Sequence, residues 1–306
     1  MQDYSYEYGR GVSRFEEAKV KQAKKDLGPH VYLYADRCIM CTRCVRFTRE
    51  VTGTSELLVQ GRGNREEIDV FPGRPLDNEL SANVIDLCPV GALLDKDFLF
   101  TQRVWFLKET PSIDGITASG DNIRIDHNDG KVYRVKPRLN MAANRWWISD
   151  EVRYGWKHVH DPARVTLPRR AGKNGYENVE WSTLPAELDA RLSASNRVAA
   201  VLSPHLTVEE AYQLAKYIRG IDEQALLVLG PIPIEGEDER FPNGFTIRAE
   251  KCPNRRGVEE VIVGIAKELV TWSDFLVRMS DESFDAVWVT GGYKTSRNDE
   301  SRSATS

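Results

Sequence analysis

The sequence of residues 38–44 is CIMCTRC, and the sequence of residues 88–93 is CPVGAL. Together these stretches hold four of the five cysteines in a chain of 306 residues: Cys38, Cys41, Cys44 and Cys88. Three thiols spaced three residues apart fit into one tight loop around a single centre. The proline after the fourth cysteine stiffens the backbone there, because it fixes φ and lacks an N–H group. Such uneven clustering, in a chain without a signal peptide, is typical of a metal site and not of a disulfide framework.

The spacing of these cysteines indicates which metal centre they form. In the short bacterial ferredoxin motif a fourth cysteine follows the trio after three residues, and it ligates a second cluster. Here no cysteine follows Cys44 at that spacing. The cysteine that can complete the ligand set is Cys88, which follows Cys44 after 43 intervening residues and precedes a proline. We therefore predict one [4Fe–4S] cluster with four thiolate ligands. The alternatives are uncoordinated thiols or a zinc site, although Cys₄ zinc sites usually have two C-x₂-C arms on separate turns.

Other polar residues support weaker hypotheses. Arg43 and Arg46 lie one helical turn apart, where they either offset the charge of an anionic cluster or form a solvated helix face. Cys252 has no neighbouring cysteine, so we expect an uncoordinated thiol. The pair His158 and His160 lacks a third ligand nearby, and ordinary surface histidines are expected.

Composition excludes several function classes. Lys and Arg number 42 against 46 Asp and Glu, so the net charge of −4 argues against nucleic-acid binding through bulk charge. The apolar stretches are far shorter than the roughly 20 residues that a bilayer span requires, so membrane association is expected only through a partner. There is no Gly-rich dinucleotide fingerprint, and neither NADH nor flavin is expected to bind this chain.

Changes in composition and hydrophobic pattern divide the chain into five segments. The predicted fold class is α+β followed by α/β. A small [4Fe–4S] domain and a small β-rich subdomain precede a partial parallel α/β domain, in which apolar strands alternate with amphipathic helices. The predicted boundaries are an extended N-terminal arm at 1–30, the cluster domain at 31–103, the β-rich subdomain at 104–161, the α/β domain at 162–294 and a disordered tail at 295–306.

Local patterns predict the elements of these segments. The β-rich part contains a hairpin around Asn128-Asp129-Gly130 and a helix at 150–158, and Trp146 and Trp147 are expected in its core. The paired Gly291 and Gly292 are expected to form a tight turn. Strands are predicted at 31–34, 56–60, 66–70, 198–202, 225–229 and 286–290, and helices at 43–51, 80–87, 208–218 and 258–270.

The cysteine stretches lie within a longer pattern that resembles a known family. The segments YGRGVSRFEE, DLGPHVYLYADRCIMCTRCVRF, RGNREEIDVFPGRPLDN and DLCPVGALLDKDF are similar to the large iron–sulfur subunit of NADH–quinone oxidoreductase (respiratory complex I). The similarity continues through RVWFLKETPSID and NRWWISDEVRYGW into the α/β region. The resemblance implies that the four cysteines hold one [4Fe–4S] cluster of the electron relay, and that the α/β region is part of a molybdopterin-oxidoreductase-like domain.

The sequence departs from the family pattern in two places, and both affect which clusters we expect in this chain. The family begins with a [2Fe–2S] domain and a cluster with one histidine and three cysteine ligands, whereas this sequence begins Met1-Gln2-Asp3, so we expect a version truncated at both ends, without [2Fe–2S], flavin or molybdopterin. Some members also carry C-x₂-C-x₃-C, with a fourth cysteine before the short helix, in the β-rich part. Oxygen-bearing side chains occupy those positions here, so that part is expected to lack a cluster: Asp114, Thr117, Asp121 and Ser149.

The resemblance implies an electron-transfer subunit of an NADH dehydrogenase, which relays electrons from NADH and flavin toward quinone and has no active site of its own. Its expected partners are the other peripheral-arm subunits, including the flavin-bearing one, on the cytoplasmic side of a bacterial inner membrane. The alternatives are an electron-transfer subunit of an NAD-reducing hydrogenase or formate dehydrogenase, and a non-redox Cys₄-metal scaffold or gene fragment.

Overall fold

The computed structural model describes residues 1–16, 18, 21–172, 175–281 and 283–291. It separates into two compact units, of which one is Met1–Leu99 and the other begins at Phe100. Gly292 and the tail at 295–306 lie outside the described residues, and so do the predictions made for them. In the described part of the chain no helix is long and apolar enough to span a membrane.

The first unit is built from short elements around the cysteine stretches. Strands β1, β2 and β5 form one antiparallel sheet in the order β1-β2-β5, and β3 and β4 form an antiparallel pair. Short 3₁₀ turns lie at Ala35–Arg37 and Gly63–Arg65. In chain order the unit contains α1 (Gln2–Tyr8), β1 (Lys24–Asp26), β2 (Val31–Tyr34), α2 (Arg43–Glu50), β3 (Leu57–Gln60), β4 (Glu67–Val70), α3 (Asn83–Leu87) and β5 (Leu93–Asp95).

A tight backbone contact closes the core of this unit. The amide of Leu76 donates to the carbonyl oxygen of Leu27 at 2.7 Å, and both side chains are fully buried. Gly28 lies against the same backbone, since a Cβ atom there would stand 2.2 Å from the carbonyl oxygen of Leu76. The other large buried side chains of this core are Val31, Leu33, Phe47, Leu57, Ile68, Leu80, Val84 and Leu93.

The N-terminal 30 residues differ from the expected extended arm. Residues 2–8 form a helix with no buried side chain, whereas β1 pairs with β2 in the sheet and Leu27 belongs to the core. The sequence KKD of β1 gives no apolar signal, because this edge strand is held by backbone pairing and by ion pairs of its side chains, such as Lys25 with Glu67, and not by apolar burial. The predicted strand Val31–Tyr34 has the same bounds in the structure.

The second unit opens with a three-stranded antiparallel sheet in the order β6-β7-β8. Its elements are β6 (Lys108–Ile113), β7 (Asn122–Asn128), β8 (Lys131–Pro137) and α4 (Asp150–Tyr154), with 3₁₀ turns at Val104–Phe106 and Gly155–His160. The predicted hairpin is confirmed: Asp129 and Gly130 have φ angles of 47° and 74°, as a two-residue turn of the I′ type requires.

The small core under this sheet leaves one tryptophan outside. Ile123 and Val135 of the hairpin pack against Ile148 and Val152. Trp146 is 51% exposed, so the expectation that it belongs to the core is wrong. Arg145, the residue before it, has a φ angle of 52°, and its amide closes a tight loop by donating to the carbonyl oxygen of Asn140 at 2.6 Å.

The rest of the second unit is α/β. The central strand β11 pairs in parallel with β12 on one side and β15 on the other, as the alternation of strands and helices predicts. Two antiparallel pairs, β9-β10 and β13-β14, were not expected. The elements are β9 (Arg169–Gly172), β10 (Gly175–Asn178), α5 (Leu184–Ser193), β11 (Val198–Leu202), α6 (Val208–Ile221), β12 (Leu226–Leu229), β13 (Glu239–Arg240), β14 (Thr246–Ile247), α7 (Arg255–Ala266), α8 (Trp272–Asp281) and β15 (Ala286–Val289).

Apolar residues cover both faces of the parallel sheet, as predicted. Every residue of β11 is buried, and its side chains alternate between two clusters. On one face they pack with Ala211, Ile218 and Ile262 from α6 and α7. On the other face they pack with Phe275 of α8. Two-sided burial explains why β11 is a continuous apolar run instead of an alternating pattern.

Candidate iron–sulfur site

The four predicted ligands lie around one cavity in the first unit. Cys38, Cys41, Cys44 and Cys88 all line it. Within the described residues, no group of three or more His, Cys, Asp or Glu side chains has the arrangement that holds a single metal ion.

The loop that carries the first three cysteines is curled by two left-handed residues. Met40 and Thr42, which flank Cys41, have φ angles of 52° and 58°. Residues other than glycine adopt this conformation rarely, and it turns the chain sharply. Cys44 then falls in the first turn of α2, which begins at Arg43. The local conformation thus folds three successive thiols toward one side.

The fourth cysteine comes from the other side of the cavity. Cys88 directly follows α3, and the chain then turns through Gly91, which has a φ angle of 61°, before β5 begins. The amide of Ala92 donates to Cys88 Sγ at 3.3 Å, and the amide of Met40 donates to Cys38 Sγ at 3.4 Å. Such N–H···S hydrogen bonds stabilise a thiolate, and they are among the features that set the potential of an iron–sulfur centre.

The remaining wall of the cavity is mostly apolar. Leu33, Ile68 and Leu93 border it and are almost fully buried. Burial raises the pKa of Cys44 to about 11, a value that includes a smaller contribution from charge repulsion by the nearby thiols of Cys38 and Cys41. At neutral pH the unligated Cys44 is therefore a neutral thiol, and a metal centre that binds it must displace its proton.

One arginine links the two segments that carry the ligands. Arg37 Nη1 donates to the carbonyl oxygen of Gly91 at 3.3 Å, and the guanidinium lies 5.0 Å from the centre of the Tyr34 ring. Arg43 and Arg46 are both exposed, and Arg43 also lines the cavity. No role was predicted for Arg37 from the sequence. Its position directly before Cys38 could have indicated a role near the site. Its hydrogen-bond partner Gly91 is 54 residues away, however, and the sequence pattern does not reveal this contact.

The other candidate ligands are not part of this cavity. Cys252 is fully buried, its Sγ donates to Glu250 Oε1 at 3.3 Å, and burial followed by this carboxylate raises its pKa to about 12. His160 Nε2 accepts a hydrogen bond from the amide of Val132 at 2.9 Å. His158 Nδ1 lies 2.9 Å from the carbonyl oxygen of Gly155. These contacts fit the structural roles that the sequence predicts for all three residues.

The second unit holds a group of buried oxygen-bearing side chains, which we term the oxygen cluster: Asp114, Thr117, Asp121 and Ser149. The amides of Ile116 and Thr117 donate to Asp114 at 2.7 Å and 3.1 Å, and the Thr117 hydroxyl donates to it as well. Ser149 caps α4 by accepting from the amide of Val152 at 3.2 Å. Burial raises the pKa of Asp114, and it raises the pKa of Asp121 to about 7 with a further contribution from Asp114.

Two family models match the regions just described. Residues 28–94 match "NADH-quinone oxidoreductase subunit 3, ferredoxin-like domain", which covers all four cysteines of the cavity. Residues 107–157 match "NADH-ubiquinone oxidoreductase NDSU1/NuoG-like, 4Fe-4S domain". In these two regions the chain is similar to the large iron–sulfur subunit of NADH–quinone oxidoreductase. The second match includes the oxygen cluster, and residues 107–157 contain no cysteine.

Relatives of this subunit from three organisms support the same assignment. The 78 kDa subunit of NADH-ubiquinone oxidoreductase from Neurospora crassa is 43% identical over 192 residues, which are 61% of this chain and 25% of that protein. The 75 kDa subunit from Reclinomonas americana is 37% identical over 252 residues, or 79% of this chain and 36% of that protein. A subunit of the NADH-quinone oxidoreductase of Rickettsia felis is 36% identical over 218 residues, which are 70% of this chain and 32% of that protein.

The chain thus spans about a quarter to a third of the length of these relatives. Among solved structures, a chain of the NAD⁺-reducing [NiFe]-hydrogenase in the H₂-reduced state is 31% identical. That match covers 34% of this chain and 45% of the other, with a TM-score of 0.28. A score this low supports no comparison of the two folds.

Proposed function

We propose that Cys38, Cys41, Cys44 and Cys88 hold one [4Fe–4S] cluster and that this chain transfers electrons through it. The observation that carries the proposal is the convergence of four thiols from two segments on the lining of one cavity. Thiolates are the ligands that such clusters require, four per cluster. When bound, the cluster supplies a one-electron redox centre.

The residues around the cavity have distinct tasks in this proposal. The left-handed residues Met40 and Thr42 hold the ligand loop in its curl, and Pro89 stiffens the chain after the fourth ligand. Leu33, Ile68 and Leu93 exclude water, which lowers the local dielectric constant around a buried charge. The amides of Met40 and Ala92 donate to ligand sulfurs, which favours the more negative, reduced state.

The wider function follows from the relatives. We infer that the chain is an electron-transfer subunit of an NADH–quinone oxidoreductase, relaying electrons from NADH and flavin toward quinone. Its partners are other peripheral-arm subunits, including the flavin-bearing one, on the cytoplasmic side of a bacterial inner membrane. Chemistry on NADH belongs to another subunit. One [4Fe–4S] cluster, without [2Fe–2S], flavin or molybdopterin, is what the five cysteines and the missing dinucleotide motif of this sequence favour.

The domain organisation is also a proposal. We infer an N-terminal segment at 1–30 whose β1 and Leu27 join the sheet and core of the next domain, a cluster domain at 31–103, a clusterless β-rich subdomain at 104–161 and part of a molybdopterin-oxidoreductase-like α/β domain at 162–294. Support for the last of these comes from the parallel order β12-β11-β15 with helices on both faces. Support for the clusterless subdomain comes from its four oxygen donors, because hard oxygen ligands are poor partners for iron–sulfur clusters.

The test is anaerobic purification of the full chain, with iron and sulfide analysis and EPR after dithionite reduction. We expect about four irons and four sulfides per chain and an S = 1/2 signal from the reduced cluster. Cys88→Ala is expected to lose this signal. The matched control is Cys252→Ala, which removes a buried thiol outside the cavity and is expected to retain full iron content. Zinc in the purified chain, or no metal in a well-folded chain, contradicts the proposal.

The place in the electron relay needs a separate measurement. Membranes or a purified complex that contain the chain are reduced with NADH, and the cluster is followed by EPR. We expect the S = 1/2 signal to appear with NADH as it does with dithionite. If dithionite reduces the cluster but NADH does not, the proposed [4Fe–4S] site is still supported. The proposed electron transfer from NADH to this cluster is then contradicted.

A further inference from the structure

Part of the wall of the cysteine cavity reaches the protein surface. Ile39 and Val90 both line this cavity, and they are 61% and 38% exposed. Three of the four cysteines are also partly exposed, whereas the fourth, Cys44, is buried. The ligand thiols therefore lie close to a surface whose exposed side chains are aliphatic.

Three arginines lie next to these aliphatic side chains. Arg43 lines the same cavity, and Arg46 follows it after about one helical turn of α2. Arg37 donates a hydrogen bond to the carbonyl oxygen of Gly91, the residue that follows Val90. All three arginines are exposed. Positive charge is therefore present beside both segments that carry the cysteines.

No ion pair compensates the charge of these three arginines in the part of the chain that the structure describes. Arg49, which comes next in α2, differs because it pairs with Glu50 at 2.9 Å. Residues 37–49 contain four arginines and no acidic residue. Asp36, which precedes them, accepts a hydrogen bond from the amide of Gln22 at 2.6 Å. The positive charge is thus local, in a chain whose net charge is −4.

An apolar centre with a charged rim that is rich in arginine is typical of protein–protein interfaces. We propose that an acidic protein with a one-electron redox centre docks on a surface of this chain, which we term the docking face: Arg37, Ile39, Arg43, Arg46 and Val90. This inference rests on the [4Fe–4S] site proposed above and adds the surface chemistry of its partner. One electron passes between the partner's centre and the cluster, so that one is oxidised as the other is reduced, and no bond forms or breaks.

Charge complementarity determines the kind of partner. Uncompensated arginines attract a negative protein surface and repel a positive one, which raises the association rate of the acidic partner at low salt. Nucleic acid is another polyanion, but Ile39 and Val90 provide no aromatic ring for base stacking. Electron transfer also requires close approach of the two centres, because its rate falls steeply with distance. The partly exposed thiols at the docking face meet this requirement.

The experiment uses the purified full chain with its cluster in place and, as the probe, an acidic [2Fe–2S] ferredoxin of the plant type. Stopped-flow absorbance follows the reduction of the cluster by the reduced ferredoxin, and isothermal titration measures binding between the two oxidised proteins. We expect the rate and the affinity to fall about tenfold or more as ionic strength rises from about 0.01 M to 1 M, because the Debye length shortens from about 30 Å to 3 Å.

Charge reversal at the docking face tests the residues. Arg43→Glu and Arg46→Glu are each expected to lower the rate and the affinity at low salt by about tenfold, with unchanged iron content. The matched control is Arg256→Glu in α7, which changes the net charge equally at an exposed residue outside the cavity and is expected to have no effect. Ile39→Thr is expected to weaken binding several-fold at every salt concentration, because it removes apolar contact and no charge.

High salt separates docking from an effect of the arginines on the potential of the cluster. The variants and the wild type are expected to react at equal rates at about 1 M ionic strength, where screening removes the attraction. A deficit that persists unchanged at high salt contradicts docking, and so does an equal loss in Arg256→Glu or a rate that does not depend on salt. A chain without its four irons contradicts the [4Fe–4S] site itself. With full iron content, any of the other outcomes contradicts the docking face alone.

Discussion

The guanidinium of Arg37 lies 3.3 Å from the carbonyl oxygen of Gly91 and thereby joins the two segments that carry the cysteines. Cys38 follows directly in the chain, and Gly91 lies three residues after Cys88. The same cation stacks on Tyr34, whose strand leads into the first segment. One exposed side chain therefore links the two segments that carry the cysteines and adds a positive charge next to Cys38 in the chain.

Arg37→Gln is expected to lower the reduction potential of the cluster and to weaken its retention. Removing a positive charge disfavours the more negative reduced state, and the change is expected to stay within about 60 mV, a tenfold change in a one-electron equilibrium. Redox titration followed by EPR measures it. Arg49→Gln is the matched control, since Arg49 pairs only with its neighbour Glu50 at the exposed end of α2. An equal shift in both variants would show that Arg37 acts only through the overall charge.

Gly28→Ala is expected to destabilise the first unit. The new Cβ would stand 2.2 Å from a backbone oxygen, so the segments around Leu27 and Leu76 must separate at a cost of about 1–3 kcal/mol. Urea unfolding with cluster absorbance as the probe measures the change. Gly220→Ala is the control of opposite sign: that position is in α6 with open space around it, and alanine is expected to stabilise the helix by up to about 1 kcal/mol. No loss of stability in Gly28→Ala would contradict the close contact.

Asp121→Asn is expected to stabilise the chain above neutral pH and to have little effect near pH 4. The folded-state pKa of about 7 lies above the ordinary value of 3.8, so the folded chain holds a proton that the unfolded chain releases. Wild-type stability therefore falls as pH rises between these values, by up to about 1.4 kcal/mol per pH unit. Asparagine removes this loss. Thermal unfolding at pH 5 and pH 8 tests the sign, and a gap between the two proteins that narrows toward pH 8 contradicts it.

Thr207→Ala is expected to cost about 1 kcal/mol of stability in the α/β part. Thr207 accepts a hydrogen bond from the amide of Glu210 at 3.1 Å, and the Glu210 carboxylate accepts one from the amide of Thr207 at 2.9 Å. Thr183→Ala is the control, since Thr183 begins α5 without a capping bond from its side chain. Denaturant unfolding followed by far-UV circular dichroism compares the two variants. Equal losses would show that the capping box adds nothing beyond an exposed threonine.

Local patterns predicted some elements to within a residue or two. The turn at Asp129 and Gly130 requires two residues that tolerate positive φ. These two residue types meet that requirement, so the local sequence alone predicts the turn. Strand β11 is visible because burial on both faces requires an unbroken apolar run. The cysteines converge as their spacing predicts, although the ligand assignment itself stays a prediction.

Other features depend on partners that are distant in the sequence. The charged strand β1 exists because β2 offers it backbone hydrogen bonds, and its residues Lys24–Asp26 give no strand signal. The bond between Arg37 and Gly91 depends on the packing of two segments 54 residues apart. The helix predicted at 258–270 begins earlier, at Arg255, and ends at Ala266. The next residue, Lys267, adopts a left-handed conformation that ends the helix, and the sequence does not predict this conformation.

The pairing of β11 with β15 has a consequence for the order of folding. Val198 meets Ala286 in the register of these strands, so the central strand of the parallel sheet remains open on one side until 88 more residues have left the ribosome. The sheet that borders the cysteine cavity closes with β5, within the first 99 residues. Contacts between distant residues form slowly, and domains fold as units during synthesis. We therefore expect the cavity to form while most of the α/β part is still being translated.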